Sequence, residues 1–200
     1  MTNEQFITKV LSIAKIGLKY SKDEYAIENY AELQKLGIKM LSQVSNKEVN
    51  SNIFVRDVYP TPNISVRIII TNDKDQVLFV KEKVEAKWGV PGGWCDLFIS
   101  PKANAKKEVF EETGLEVEIL DLLAVFNREL YRTPKTILSD YVMYFNAKII
   151  NSSKLDIGFE VSEAKYYNMD ALPILSTNNT KKELAIVWDV LKNNKKVFVD

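Results

Sequence analysis

Apolar residues recur along this chain with two different periods, and the change from one to the other divides it. Near the start the spacing is helical, with Ile7, Val10, Leu11, Ala14 and Leu18 on one stripe and Ile27, Tyr30, Leu33, Leu36 and Met40 on a second. Thr2-Asn3-Glu4-Gln5 and Ser21-Lys22-Asp23-Glu24 have capping-box form, each just ahead of its stripe, which predicts two helices. A helical hairpin this small buries little by itself, so it must pack on the rest of the chain or on another copy; a dimer contact is the expectation. Ser45 to Ser51 is polar and reads as a linker, and Tyr59-Pro60-Thr61-Pro62 marks an extended lead into a second domain. The expected domains are 1–50 and 58–200.

Beyond the prolines the pattern turns to strands. Ser65 to Thr71 is a β-branched run, Asn72-Asp73-Lys74-Asp75 a turn, and Gln76 to Lys81 the returning partner. Val117 to Phe126 and Asp140 to Ile150 are long strands of mixed alternation, and Ala164 to Asn168 is a shorter one. Thr180-Lys181-Lys182-Glu183 caps a last helix whose Leu184, Val187, Trp188 and Leu191 face a core. Between these elements lies a glycine turn, a loop and a helix rich in glutamate. Ser100 is a good N-cap, Pro101 suits the first helical position, and Gly114 fits the left-handed residue that closes a helix. On that helix Glu108, Glu111 and Glu112 fall within an arc of roughly 100°, beside the apolar Ala105 and Val109. Such a cluster is either a solvated acidic face or, if partly enclosed, a site that needs a counter-cation. Oxygen-only ligation suits Mg²⁺ or Mn²⁺.

The stretch from Gly93 to Leu115 resembles the Nudix box, G-x5-E-x7-R-E-U-x-E-E-x-G-U with U aliphatic. Gly93, Glu108, Glu111, Glu112, Gly114 and Leu115 all match, and Trp88-Gly89-Val90-Pro91-Gly92-Gly93-Trp94 looks like the run that leads into many such boxes. Two positions depart. Ile99 stands where the family has its early glutamate, and Lys107 stands where it has arginine, keeping the charge without the planar fork. The helical start resembles the N-terminal extension of one branch of Nudix hydrolases, whose members act on CDP-choline, ADP-ribose or RNA ends.

The resemblance implies an α/β fold, a Nudix α/β/α sandwich with a mixed sheet, preceded by the helical hairpin. It implies Mg²⁺ or Mn²⁺ held by Glu108, Glu111 and Glu112 with a backbone carbonyl of the Gly92-Gly93 turn. Lys107 steadies those glutamates, and a further catalytic glutamate is expected at Glu160 or Glu163. Arg67 is either structural or a substrate contact. Trp88, Phe126 and Tyr131 are the aromatics expected near a nucleobase, each with core packing as its alternative. The polar loop from Arg128 to Lys135 either meets the phosphates or the base, or is an ordinary hairpin connection.

Composition narrows the choice. Lysine plus arginine equals aspartate plus glutamate, at 27 each, so no global field draws nucleic acid. There is no histidine, which excludes imidazole bases and ligands and leaves Glu, Asp, Lys, Tyr or a metal-bound hydroxide to serve as base. The single cysteine, Cys95, cannot pair within the chain and reads as a filler; a cytoplasmic setting follows, with no signal pattern and no bilayer-spanning apolar run. The leading expectation is a metal-dependent pyrophosphohydrolase of nucleoside diphosphate derivatives such as ADP-ribose or CDP-choline, releasing a nucleoside monophosphate. An RNA 3′-to-5′ exonuclease or RNA-end pyrophosphatase would need a local basic track, Arg128, Arg132 and Lys135. A nucleotide-sensing module would have Ile99 as the mark of decayed chemistry.

Overall fold

The computed structural model describes residues 2–46, 48–49, 62–132, 140–150 and 155–200. The chain forms two compact units, Met1–Pro60 and Thr61–Asp200. The first is a helical hairpin of α1 (Asn3–Tyr20) and α2 (Glu24–Ser45). Asp23, one of the four residues of the second capping signal, is the residue that caps α2, accepting from the N–H groups of Tyr25 and Ala26. The hairpin closes over Ile7, Leu11 and Leu41, with Ile38 and Val44 beside them. Gly37 permits that approach, since a Cβ there would lie 2.7 Å from Leu11 Cδ2. The outward side is unexpectedly apolar: Phe6, Ile13, Ile16 and Tyr20 on α1, and Tyr25, Leu36 and Met40 on α2, are exposed. Leu36 and Met40 thus face away from the hairpin's own core.

The second unit contains β1 (Asn63–Ile70), β2 (Val77–Glu82), β3 (Trp88–Gly89), α3 (Pro101–Thr113), β4 (Val117–Asn127), β5 (Asp140–Ile149), β6 (Val161–Tyr167), α4 (Lys181–Lys192) and β7 (Phe198–Val199). β1 and β5 are parallel, β5 and β4 antiparallel, and β4 and β7 parallel, giving a mixed sheet in the order β1-β5-β4-β7. A second, antiparallel sheet runs β3-β2-β6. β6 begins at Val161, three residues before the strand read at Ala164.

Alternation along the strands sorts their side chains onto two cores. Val66, Ile68, Ile70, Leu78 and Phe145 pack with Ala105 and Val109 of α3. Ile69, Val77, Phe79, Val142 and Tyr144 pack with Leu184, Val187 and Val190 of α4. β1 is therefore buried on both faces from Ser65 onward, which explains its unbroken apolar run. Among the described residues no helix is long and apolar enough to cross a membrane.

Candidate active site

The box loop is laced to the edge of β1. Val66 N–H donates to Gly93 O at 2.9 Å, Ile68 N–H to Pro91 O at 2.8 Å, and Cys95 N–H to Ile64 O at 2.9 Å. Gly92 has φ +143°, and a Cβ there would fall 2.1 Å from Val66 O, so the chain can pass only as glycine. The buried Asn104 of α3 holds the far side of the loop, accepting from Asp96 N–H and donating to Trp94 O. Ser100 caps α3 with Pro101 in its first turn, and Gly114 closes it at φ +69°.

With loop and helix fixed, the carboxylates converge. Gly92 N–H donates to Glu112 Oε2 at 3.1 Å. A Cβ on Gly93 would lie 2.5 Å from Glu108 Oε2, so the bare glycine lets Glu108 lie against the turn. Segment 155–160 docks beneath the end of α3, with Asp156 N–H donating to Thr113 O and Gly158 N–H to Glu112 O. That docking brings Glu160 round to face the box. Glu108, Glu111, Glu112 and Glu160 line one cavity of about 530 Å³, with Lys107, Gly93, Trp94 and Phe159.

The electrostatics follow from crowding and burial. Burial raises the pKa of Glu112 to about 8, with the Glu108 and Glu160 charges adding to the rise, while the Gly92 N–H and the Arg67 guanidinium pull the other way. Glu108 is raised by burial as well, with Lys107 opposing. Burial disfavours the Lys107 ammonium, but its bond to Glu111 and the charges of Glu108 and Asp96 outweigh that and hold its pKa above the ordinary value. Its Nζ lies 3.0 Å from Glu111, 3.4 Å from Asp96 and 3.8 Å from Glu108. Lysine thus spans the acidic residues as three point contacts, where arginine would offer a fork.

A hard divalent cation suits this donor set, since the oxygens are all carboxylate and the buried ones lack full compensation. Among the described residues no three acidic groups form a ready-made cage. Glu111 is drawn to Lys107 and Glu112 to Gly92, so a cation would have to recruit them. The Gly93 carbonyl already accepts Val66 N–H. Glu112 makes the linkage with pH testable. Its folded pKa stands above the ordinary 4.5, so the folded chain holds that proton more tightly than the unfolded one. Stability from this group is full below pH 4.5 and drains away as pH rises through about 8. In chelator, the melting temperature of the wild type should fall from pH 5 to pH 8.5 more steeply than that of Glu112→Gln, and Mg²⁺ should raise it more at the higher pH.

The other sequence candidates separate. Arg67, 5% exposed, lines an adjoining cavity with Glu112 and Glu160. Glu163 turns away to Lys81, at 2.7 Å. Phe126 is fully buried against Tyr131, Tyr144 and Phe198, so it is a core residue and not a base platform. Trp88 is likewise buried, edge-on to Tyr167, and Tyr131 packs on Phe126 under Lys182. Arg128 is 3% exposed, donating to Thr177 O and facing Glu183, because its place at the end of β4 points it inward. Arg132 is held by Glu129 and Asp140, and Lys135 lies outside the described residues. A free basic track of Arg128 and Arg132 is therefore absent. Trp94 and Phe159, 54% and 90% exposed, stand at the cavity instead. Sequence reasoning missed both: Trp94 had only its place after the double glycine as a signal, and Phe159 only its neighbour Glu160. A larger open groove of about 710 Å³ beside α4 has no comparable cluster of carboxylates.

A glutamate-lined cleft set by a double-glycine turn, on a mixed sheet between helices, is the arrangement of a Nudix hydrolase. The NUDIX domain family matches residues 61–186, and the family described as UDP-X-like, N-terminal oligomerisation domain matches residues 4–51; the chain belongs to the Nudix family. It is 34% identical over 197 residues to YjhB of Bacillus subtilis (strain 168), a protein provisionally named an ADP-ribose pyrophosphatase, across 96% of this chain and 94% of that one. A solved UDP-X diphosphatase shares 26% identity and a TM-score of 0.68, over 98% of this chain and 97% of its own. An ADP-ribose pyrophosphatase of Streptococcus suis 89-1591 shares 27% identity and a TM-score of 0.61, over 70% of this chain and all of its own.

Proposed function

We propose that this chain hydrolyses the diphosphate of a nucleoside diphosphate joined to a second group, ADP-ribose and UDP-sugars being the leading types and CDP-choline a further one, with Mg²⁺ or Mn²⁺ as cofactor. The observation that carries the proposal is the meeting of Glu108, Glu111, Glu112 and Glu160 in one cavity. Glu108, Glu111 and Glu112 would hold the cation, which when bound supplies charge screening for the diphosphate and acidifies water. Gly92 N–H fixes the carboxylate of Glu112, and Lys107 keeps Glu111 and Glu108 from splaying apart. Glu160 would take the proton of the attacking water, a role supported by its place in the cavity while Glu163 pairs with Lys81. Ile99 does not line the cavity, so its replacement of the early box glutamate leaves these four groups in place.

The test is product release from a panel of ADP-ribose, UDP-glucose, CDP-choline, nucleoside triphosphates and short 5′-triphosphorylated RNA, each with Mg²⁺, Mn²⁺ or chelator. Metal-dependent release of a nucleoside monophosphate from a diphosphate-linked substrate is expected. Binding without turnover of any member would leave the nucleotide-sensing reading in its place.

The hairpin's exposed apolar residues fit contact with a second copy, in line with the oligomerisation family that it matches. Sedimentation at micromolar concentration should report a dimer, and Ile13→Lys with Tyr20→Lys should shift it to monomer without lowering the melting temperature of the catalytic unit. A wild-type monomer would refute this.

A further inference from the structure

The cleft does not end at the carboxylates. A second chamber of about 600 Å³ shares the wall made by Gly93, Trp94, Glu112, Phe159 and Glu160, and beyond it is lined by Arg67, Glu82, Lys83 and Asn178. We propose that this chamber binds a vicinal diol of the substrate and that Glu82 and Asn178 are the residues that read it. This rests on the diphosphate-hydrolase reading above.

Three observations carry it. First, Asn178 Nδ2 donates to Glu82 Oε1 at 3.0 Å, which joins the two side chains and leaves Glu82 Oε2 and Asn178 Oδ1 as neighbouring acceptors. Second, both residues are delivered by built features. The pairing of β2 with β6 shifts register between Lys81 and Glu82, so that Lys81 stays with Glu163 while Glu82 lines the chamber. The loop carrying Asn178 is fastened on both sides: Thr177 N–H and Oγ1 reach Glu85, Arg128 Nη2 donates to Thr177 O, and Asn179 accepts from Val90 N–H and donates to Tyr144 Oη. Third, Arg67, 5% exposed, lies on this wall and donates from Nη1 to Val66 O at 2.9 Å, which fixes its guanidinium beside the chamber.

Two adjacent acceptors match two adjacent O–H donors. The edges of adenine, cytosine and uracil alternate donor and acceptor, and would set an acceptor against one of the two oxygens. Guanine does present neighbouring donors, but the exposed rings that would stack it, Trp94 and Phe159, belong to the shared wall.

A diol has two sources, the ribose of the nucleoside or a sugar in the second group. Affinity and kcat/KM of wild type, Glu82→Gln and Asn178→Ala would be measured on ADP-ribose, CDP-choline and 2′-deoxy-CDP-choline. A loss of about ten- to a hundredfold is expected wherever the read diol is present. Loss on ADP-ribose and CDP-choline, relative to the deoxy compound, assigns the nucleoside ribose. Loss on ADP-ribose alone assigns the sugar of the second group. Equal loss on all three, no loss on any, or no wild-type binding overturns the proposal. These ratios are insensitive to a fraction of unfolded variant. If the wild type binds the compounds but hydrolyses none, the hydrolase reading fails while the affinity ratios still decide the chamber.

Discussion

Glu112→Gln should lower kcat by about a thousandfold, the range lost when a charged group acting at the reacting atoms is removed. Glutamine keeps the volume of Glu112 and an oxygen able to accept Gly92 N–H, so the double-glycine turn and α3 should hold their places. What it removes is the ability to ionise and so to ligate a cation, an ionisation that burial resists by lifting the pKa to about 8. KM should change far less than kcat, and calorimetry should show weakened Mg²⁺ binding in the absence of substrate. Glu160→Gln should also cut kcat, while Glu163→Gln should stay within about threefold of wild type, because Glu163 spends its charge on Lys81 outside the cleft. The reverse order for Glu160 and Glu163 would move the base to Glu163 and contradict the assignment made from the cavity.

Glu183→Ala should destabilise the second unit by about 3–5 kcal/mol and lower its melting temperature by roughly 10 °C. Glu183 is fully buried and has two tasks. Its Oε2 accepts Thr180 N–H at 2.8 Å while Thr180 Oγ1 accepts Glu183 N–H at 3.1 Å, the reciprocal cap of α4. Its Oε1 lies 3.8 Å from Arg128 Nε, and neither atom has a hydrogen bond. Burial raises the Glu183 pKa against the Arg128 charge and lowers that of Arg128 against the Glu183 charge. Alanine therefore removes the side-chain half of the cap and strands a guanidinium in the core. Glu183→Gln keeps the cap and should cost less, which separates the two tasks. Arg128→Met combined with Glu183→Gln should melt above Arg128→Met alone, since a buried pair replaced together avoids an uncompensated charge. Thermal unfolding of the four variants checks all of this.

The helix that bears the box glutamates was legible because its signals are local. Ser100, Pro101 and Gly114 mark the ends of α3, and a fixed rise and turn then place Glu108, Glu111 and Glu112 together whatever surrounds them. The Thr180–Glu183 box was legible for the same reason. Arg128, by contrast, was read as a surface cation in a polar loop. Nothing in its neighbours says that β4 ends beside α4 with the side chain turned inward, where Glu183, fifty-five positions later, meets it. Phe126 and Trp88 failed as base platforms on the same ground, because an aromatic in a strand points either to a cleft or to a core, and only the partner elements decide which.

While the short β3 and β7 carried too little pattern to be read, the sequence by itself determined the helical start, five of the strands, the family, and α3 with the box glutamates on one face. Each follows from spacing over a few residues. Only the tertiary structure decided which glutamate joins them, which aromatics stand at the cleft, and that Glu82 meets Asn178. Those groups come from β2, segment 155–160 and the loop before α4, and their convergence is set by strand order, a register shift and loop docking. Such features depend on contacts far apart in the chain, and no local pattern of residues encodes them.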